Sequence, residues 1–203
     1  MALRLKLTYF DMTGRGELTR LIFAYGNVAF EDERLTDAAF QALKPTLPLG
    51  QLPILQVHGE TYAQSMALAR YAAKVNGLYP QGLVDALRVD MISETLSELR
   101  NNFSGILHGG FDDATQAQKF VEYKAETVPK ALASLEKMVQ GAFLAGDDAS
   151  YADMQLFDFV ENVLWTRMGL SIASPFPKLQ GVVDSVKTTP NVAAYLAQQS
   201  KKA

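Results

Sequence analysis

The hydrophobic period of the amino-acid sequence changes once, near residue 80, and this change limits the possible folds more than any other feature. From Leu5 to Tyr9, apolar and polar residues alternate with a period of two, which predicts a half-buried strand. Residues 30–35 predict a second strand, and residues 54–63 predict a hairpin. After residue 82 the apolar residues recur at helical spacing. The chain is therefore predicted to join an α/β first part to an all-helical second part.

Turn-forming residues predict the boundary between these parts. The segment 77–82 contains two glycines and a proline, which is typical of a linker. We therefore predict a first domain at residues 1–76 and an all-helical domain at residues 83–203. Ser65 is expected to be the N-cap of the last helix of the first domain. The predicted helices span residues 18–25, 37–44, 65–75, 83–106, 115–139, 177–187 and 191–199, and another begins at Ser150.

The composition argues against several classes of function. The net charge of −3 argues against a nucleic-acid partner, because phosphate binding needs clustered basic residues. The absence of cysteine removes disulfides and any thiol nucleophile of the protein itself. No apolar run approaches the length of about eighteen residues that a membrane helix needs. His58 and His108 are isolated, so we expect neither a metal site nor a catalytic triad. We expect a cytoplasmic protein without a membrane partner.

A Gly14-Arg15-Gly16 turn follows the first predicted strand and precedes a helix. This order is similar to a dinucleotide-binding loop, but Thr19 replaces the third glycine of that motif. Further βαβ units are also missing from the later sequence. The preferred interpretation is a tight turn whose glycines allow another group to approach closely.

Two serines lie at predicted helix starts and have different expected roles. Gln64-Ser65 lies at the start of a helix whose free amides could bind a carboxylate, although ordinary capping is the preferred interpretation of Ser65 taken alone. Ser150 and Asp153 have the spacing of a capping box, which is a structural role. Trp165, later on that helix, is expected to pack in the protein interior rather than bind a ligand.

Together these features resemble the cytosolic glutathione transferases, and the sigma class in particular. The resemblance implies an α/β thioredoxin-like N-terminal domain, an all-α C-terminal domain and a homodimer. It also implies conjugation of the glutathione thiol to small hydrophobic electrophiles, with glutathione as co-substrate and no further cofactor or metal. The matching segments are residues 6–10, 14–17, 47–55, 64–71 and 150–153.

The resemblance assigns roles to individual residues of this chain. It implies that the Tyr9 hydroxyl hydrogen-bonds the glutathione sulfur and that Arg15 supports this polarisation. Glu98 would reach the glutathione of the partner subunit. The implied glutathione-binding residues are Tyr9, Phe40, Lys44, Gln51, Leu52, Pro53, Gln64, Ser65 and Glu98, and the implied hydrophobic-substrate residues are Phe10, Arg100 and Gly105. The Leu52–Pro53 bond is expected to be cis.

Several positions depart from the family pattern. Phe40 stands where sigma enzymes often have a tryptophan, and Leu49 replaces an aromatic residue. Gly105 replaces a tryptophan of the vertebrate prostaglandin D synthases, and Arg100 introduces a charge nearby. These changes argue against prostaglandin isomerisation. The alternatives that stay open are a non-catalytic protein of the S-crystallin kind and another glutathione-dependent isomerase or peroxidase.

Overall fold

The computed structural model describes residues 4–200, which form two compact units. The first unit comprises the described residues up to Tyr79 together with those from Thr188 onward, and the second comprises Pro80–Lys187. The elements of the first unit are β1 (Leu5–Phe10), α1 (Glu17–Tyr25), β2 (Glu31–Leu35), α2 (Asp37–Leu43), a 3-10 turn (Lys44–Thr46), β3 (Ile54–Val57), β4 (Glu60–Ala63), α3 (Ser65–Val75) and the C-terminal α10 (Pro190–Ser200).

A four-stranded mixed sheet with the order β2-β1-β3-β4 organises the first unit. Strand β1 is parallel to β2 and antiparallel to β3, and β3 forms an antiparallel hairpin with β4. The alternation predicted for β1 is confirmed at Leu5, Lys6 and Leu7, since the two leucines are buried and the lysine is partly exposed. It fails at Thr8, which is buried because its hydroxyl donates to Glu33 on the neighbouring strand. Helix α1 packs against α3 and α10. Its fully buried residues are Thr19, Arg20, Leu21, Ile22 and Phe23.

The second unit is helical throughout its regular elements. Its core includes the fully buried Val89, Ile92, Leu132 and Phe159. Two π-helical turns interrupt otherwise α-helical segments. The elements are α4 (Leu83–His108), α5 (Asp113–Glu122), a π turn (Tyr123–Thr127), α6 (Val128–Met138), α7 (Tyr151–Phe159), a π turn (Val160–Trp165), α8 (Thr166–Met168) and α9 (Pro177–Thr188).

The structure differs from the sequence-based expectations in four other places. The segment from Thr188 groups with the first unit, because α10 packs on α1, whereas the sequence assigned it to the helical domain. The boundaries 1–76, 77–82 and 83–203 otherwise stay predictions, and their outermost residues lie outside the described part. Gln64, at a φ of 77°, is the N-cap of α3, so Ser65 is its first helical residue. The π turn at Tyr123–Thr127 divides the helix predicted at 115–139. Trp165 ends the second π turn and is 59% exposed rather than packed in the interior, because a π turn changes the helical period.

Candidate functional site

The register of the sheet brings three separate parts of the chain to one edge. Thr8 of β1 pairs with Ile54 of β3, and Ile54 pairs with Ala63 of β4. The next residue outward is Tyr9 on β1, Pro53 before β3 and Gln64 after β4. Neighbouring strands lie about 5 Å apart. The sheet alone therefore places three of the residues expected to bind glutathione side by side.

Tyr9 is buried, with 8% of its surface exposed, and its hydroxyl is held by the backbone. The N–H of Arg15 donates to the Tyr9 oxygen at 3.1 Å. A phenolic hydroxyl has one proton to donate as well as lone pairs that accept. Since the oxygen is the acceptor in this contact, the proton can be donated to a ligand.

Gly14 and Gly16 are required by the close approach of the Tyr9 side chain. A Cβ atom on Gly14 would lie 2.8 Å from the Tyr9 hydroxyl oxygen, and Gly14 also has a φ of 141°. A Cβ on Gly16 would lie 2.6 Å from Cγ of the Tyr9 ring. Side chains at these positions would displace the tyrosine. The interpretation of the motif as a tight turn that allows close approach is thus explained by Tyr9.

A chain of aromatic contacts leads from Tyr9 to α2. The ring of Phe10 contacts Tyr9 edge-on at 5.4 Å between centroids, and Phe40 contacts Phe10 in the same way at 5.3 Å. Nζ of Lys44 lies 5.8 Å from the centroid of the Phe40 ring. The structure therefore groups Tyr9, Phe10, Phe40 and Lys44, although sequence reasoning assigned them to different subsites. Gln51 is exposed, on the loop that leads to β3.

The remaining predicted residues of the first unit frame the same edge of the sheet. The Leu52–Pro53 peptide bond is cis, as expected from the sequence. Gln64 is exposed and Ser65 is partly exposed at the start of α3. The Gln64 side chain makes no capping hydrogen bond to this helix. The first amides of a helix lack intrahelical partners and carry a partial positive charge, so this start can accept an anion.

Three predicted residues, Glu98, Arg100 and Gly105, belong to α4 of the second unit. Glu98 is exposed, and Gly105 lines an open pocket of about 390 Å³. The Arg100 guanidinium donates to the Asp158 carboxylate at 2.5 Å. Burial raises the pKa of Asp158, and the charge of Arg100 opposes this effect. The charge that Arg100 introduces is therefore paired within the unit.

Sequence reasoning missed a buried group of charged residues behind Tyr9. Arg20 is fully buried and pairs with Glu17 and Asp32. The spacing of Glu17 and Arg20, three residues apart on one helix face, is the signal that could have indicated a pair. Tyr195, whose hydroxyl donates to Glu17, lies 178 positions beyond it in the sequence. No local pattern could have connected it.

Residues 4–200 show neither a cluster of metal ligands nor a helix of membrane-spanning character. They contain no group of three or more His, Cys, Asp or Glu side chains arranged to hold a metal ion. Within the same range, none of the helices has the length and apolar character needed to cross a membrane.

A thioredoxin-like sheet unit followed by a helical unit is the architecture of the glutathione transferases. The family model "Glutathione S-transferase, N-terminal domain" matches residues 5–74, and "Glutathione S-transferase, C-terminal domain" matches residues 97–199. The chain belongs to the glutathione S-transferase family.

Individual relatives represent three kinds of protein within this family. Glutathione S-transferase S1 from Drosophila melanogaster is 32% identical over 195 residues, covering 95% of this chain and 78% of the relative. S-crystallin SL11 from Nototodarus sloanii is 29% identical and covers 97% of both chains. The solved structure of rat hPGDS complexed with a quinoline has a TM-score of 0.87, with 28% identity and 96% of each chain covered. The similarity to sigma-like proteins extends along almost the whole chain.

Proposed function

We propose that the protein conjugates the thiol of reduced glutathione to small hydrophobic electrophiles, with Tyr9 stabilising the thiolate. The observation that supports this proposal is the buried Tyr9 hydroxyl, whose oxygen accepts the Arg15 N–H and whose proton can be donated. The cysteinyl part of glutathione would pair with the backbone of Leu52, which precedes Pro53 across a cis peptide bond at the same edge of the sheet as Tyr9. The γ-glutamyl carboxylate would lie at the start of α3, bound by Gln64 and Ser65.

The energy that this mechanism requires is small enough for one hydroxyl group. A free thiol has a pKa of about 8.5, and lowering it to about 7 requires roughly 2 kcal/mol. A hydrogen bond to a charged partner contributes about 1.5–3 kcal/mol. Tyr9 can therefore supply the whole effect without a general base or a metal ion. Arg15, whose backbone N–H contacts the Tyr9 hydroxyl, would add a positive charge near the sulfur.

The glycyl end of the peptide would extend toward α2. Lys44 and Gln51 are both exposed and belong to the segment between α2 and β3. Lys44 offers a positive charge for the terminal carboxylate, and Phe40 beneath it supplies an apolar wall. Phe40 lacks the indole N–H of the tryptophan that it replaces, so one donor to the peptide is lost.

The active form would be a cytoplasmic homodimer with each site shared between subunits. Glu98 of one subunit would pair with the γ-glutamyl ammonium bound to the other. Each charge of the amino-acid end then meets a partner of opposite sign, and an unpaired charge in a closed site is costly. We propose no cofactor beyond glutathione as co-substrate.

The S-crystallin relative keeps a non-catalytic role open as the second candidate. The geometry of Tyr9 favours catalysis, because a purely structural protein has no need for a hydroxyl donor that is held in place by a backbone amide. The paired charge of Arg100 and the missing tryptophan at Gly105 weigh against prostaglandin isomerisation.

Tyr9→Phe tests the proposed role of the hydroxyl. We expect turnover with glutathione and chlorodinitrobenzene at neutral pH to fall roughly ten- to a hundredfold, because one charge-assisted hydrogen bond is removed. Affinity for S-hexylglutathione should change little. The ultraviolet absorbance of the bound thiolate should titrate at higher pH in the variant than in the wild type.

Tyr62→Phe is the matched control, since its hydroxyl donates to the exposed Glu60 on the same strand. It should leave turnover and the thiolate titration unchanged. If Tyr9→Phe and the wild type titrate alike, Tyr9 does not stabilise the thiolate. A wild type that binds S-hexylglutathione without any turnover would favour the crystallin-like role.

A further inference from the structure

Arg20 holds the segment that follows Tyr9 by its backbone. Its guanidinium donates to the carbonyl oxygens of Met12 at 2.9 Å and Phe10 at 3.2 Å. Its central carbon also lies 5.7 Å from the centroid of the Tyr9 ring. Three contacts therefore connect one fully buried cation to the tyrosine and to the turn that leads to Gly14.

A fully buried guanidinium needs opposite charges around it, and two carboxylates provide them. Glu17 accepts from Arg20 at 3.2 Å, and Asp32 accepts from its Nε at 2.9 Å. The Glu17 side chain is 5% exposed, and Asp32 is 22% exposed. The orientation of Arg20 consequently depends on where these two carboxylates are held.

The C-terminal helix α10 contacts the Glu17 carboxylate directly and is connected to the Asp32 carboxylate through Arg34. The Tyr195 hydroxyl donates to Glu17 at 2.8 Å. Gln199, one helical turn later, accepts from Arg34 at 2.8 Å, and the same Arg34 pairs with Asp32 at 2.8 Å. Burial, reinforced by the charge of Glu17, raises the pKa of Tyr195, so its hydroxyl remains a donor over the physiological pH range.

We propose that α10 positions the catalytic tyrosine: Tyr195 acts through Glu17 and Arg20 to fix the turn after β1, and both Tyr195 and Arg20 are positioning residues for thiolate stabilisation. This inference rests on the proposed function of Tyr9. Without the Tyr195 hydroxyl, Glu17 loses a donor and shifts toward Arg20. The guanidinium then moves relative to the Phe10 and Met12 carbonyls, and the Tyr9 hydroxyl loses its alignment with the sulfur. Hydrogen bonds weaken steeply with misalignment.

The test is Tyr195→Phe, which removes one oxygen and keeps the ring. We expect kcat with glutathione and chlorodinitrobenzene to fall roughly three- to tenfold at neutral pH, since small displacements of a catalytic group cost rate steeply. KM for glutathione should stay within about twofold, because the residues that bind its two ends do not contact Tyr195. The thiolate absorbance of bound glutathione should titrate at higher pH.

Tyr62→Phe is again the matched control, because it also removes a tyrosine–glutamate hydrogen bond, but outside the Arg20 group. It should keep the wild-type titration and kcat. Gln199→Ala tests the second connection from α10, and it should shift the titration in the same direction by a smaller amount. This variant also provides the test if Tyr195→Phe fails to fold.

The outcomes separate this inference from the proposed function. If the wild type lowers the pKa of bound glutathione and both α10 variants titrate identically to it, α10 has no positioning role, while the function of Tyr9 stands. A lower melting temperature with an unchanged titration would likewise overturn the inference, since it would show a purely structural role. If bound glutathione keeps an ordinary pKa in the wild type, both proposals fail.

Discussion

The starts of α3 and α7 place serines in similar positions but treat them differently. At α7, the Asp153 carboxylate accepts the backbone N–H of Ser150 at 2.7 Å and its hydroxyl at 2.8 Å, which closes the helix end with the chain's own groups. Both residues are buried. At α3, the N-cap Gln64 provides no side-chain cap, and Ser65 stays partly exposed.

Under the proposed function, the same local chemistry serves stability at α7 and would serve recognition at α3. A helix start whose first residues bond one another has fewer free groups to offer a ligand. A start that is left open pays in helix stability and gains an anion site. Three substitutions test this proposed division of roles between the units.

The largest expected effect is on stability, from Asp153→Ala. The carboxylate also accepts the N–H of Leu144 at 2.8 Å, so three buried donors lose their acceptor. We expect the free energy of unfolding to fall by about 3 kcal/mol. Thermal unfolding should show the melting temperature lowered by roughly 6–12 °C. Below that temperature, affinity for S-hexylglutathione should be that of the wild type.

Asp148→Ala is the control for this change, because Asp148 is exposed on the loop before the same helix. Its melting temperature should equal that of the wild type. Equal melting of Asp153→Ala and the wild type would show that the closed helix start contributes nothing to stability.

Ser65→Ala should have the opposite profile. We expect affinity for S-hexylglutathione to weaken by about 1–3 kcal/mol, because a desolvated carboxylate loses a hydrogen-bond partner. The free energy of unfolding should change by less than about 0.5 kcal/mol, since Ser65 is not the N-cap. Titration calorimetry and thermal unfolding measure the two quantities. Ser134→Ala, an exposed serine on α6, is the control. Unchanged affinity would mean that Ser65 has no role in binding.

The smallest expected effect comes from Glu98→Ala. Glu98 belongs to the second unit, so an effect on binding would show that this unit also takes part in recognition. We expect glutathione affinity to weaken by about 1 kcal/mol, the scale of an exposed ion pair. Glu94→Ala, one turn earlier on α4 and also exposed, should leave affinity unchanged. Activity should decline on dilution together with the dimer, as sedimentation would show.

Mixed dimers give the sharper form of this experiment. Subunits with Ser65→Ala are combined with subunits with Glu98→Ala. If sites are shared, the Glu98 of the first subunit completes the site of the second, and one site of each heterodimer recovers native affinity. If sites are not shared, every site keeps one defect. An active monomer in sedimentation would exclude the shared site.

Local patterns determined the elements of this protein and many of its candidate site residues. The period of two in β1, the turn at Gly14–Gly16 and the capping box at Ser150 each need only a few neighbouring residues, so they are readable from sequence. The resemblance that supplied the roles of Tyr9 and Ser65 also rests on short contiguous segments. The assignment of Ser65 as N-cap was wrong by one residue, because Gln64, with a φ of 77°, holds that position.

Only the tertiary structure decided which unit α10 joins and what Arg20 does. Helical periodicity predicted α10 but carries no information about which surface the helix covers. The contact between Tyr195 and Glu17 forms because folding brings together residues 178 positions apart. A buried arginine is tolerated only where carboxylates and carbonyls converge on it, and such convergence belongs to the folded chain rather than to any segment of it.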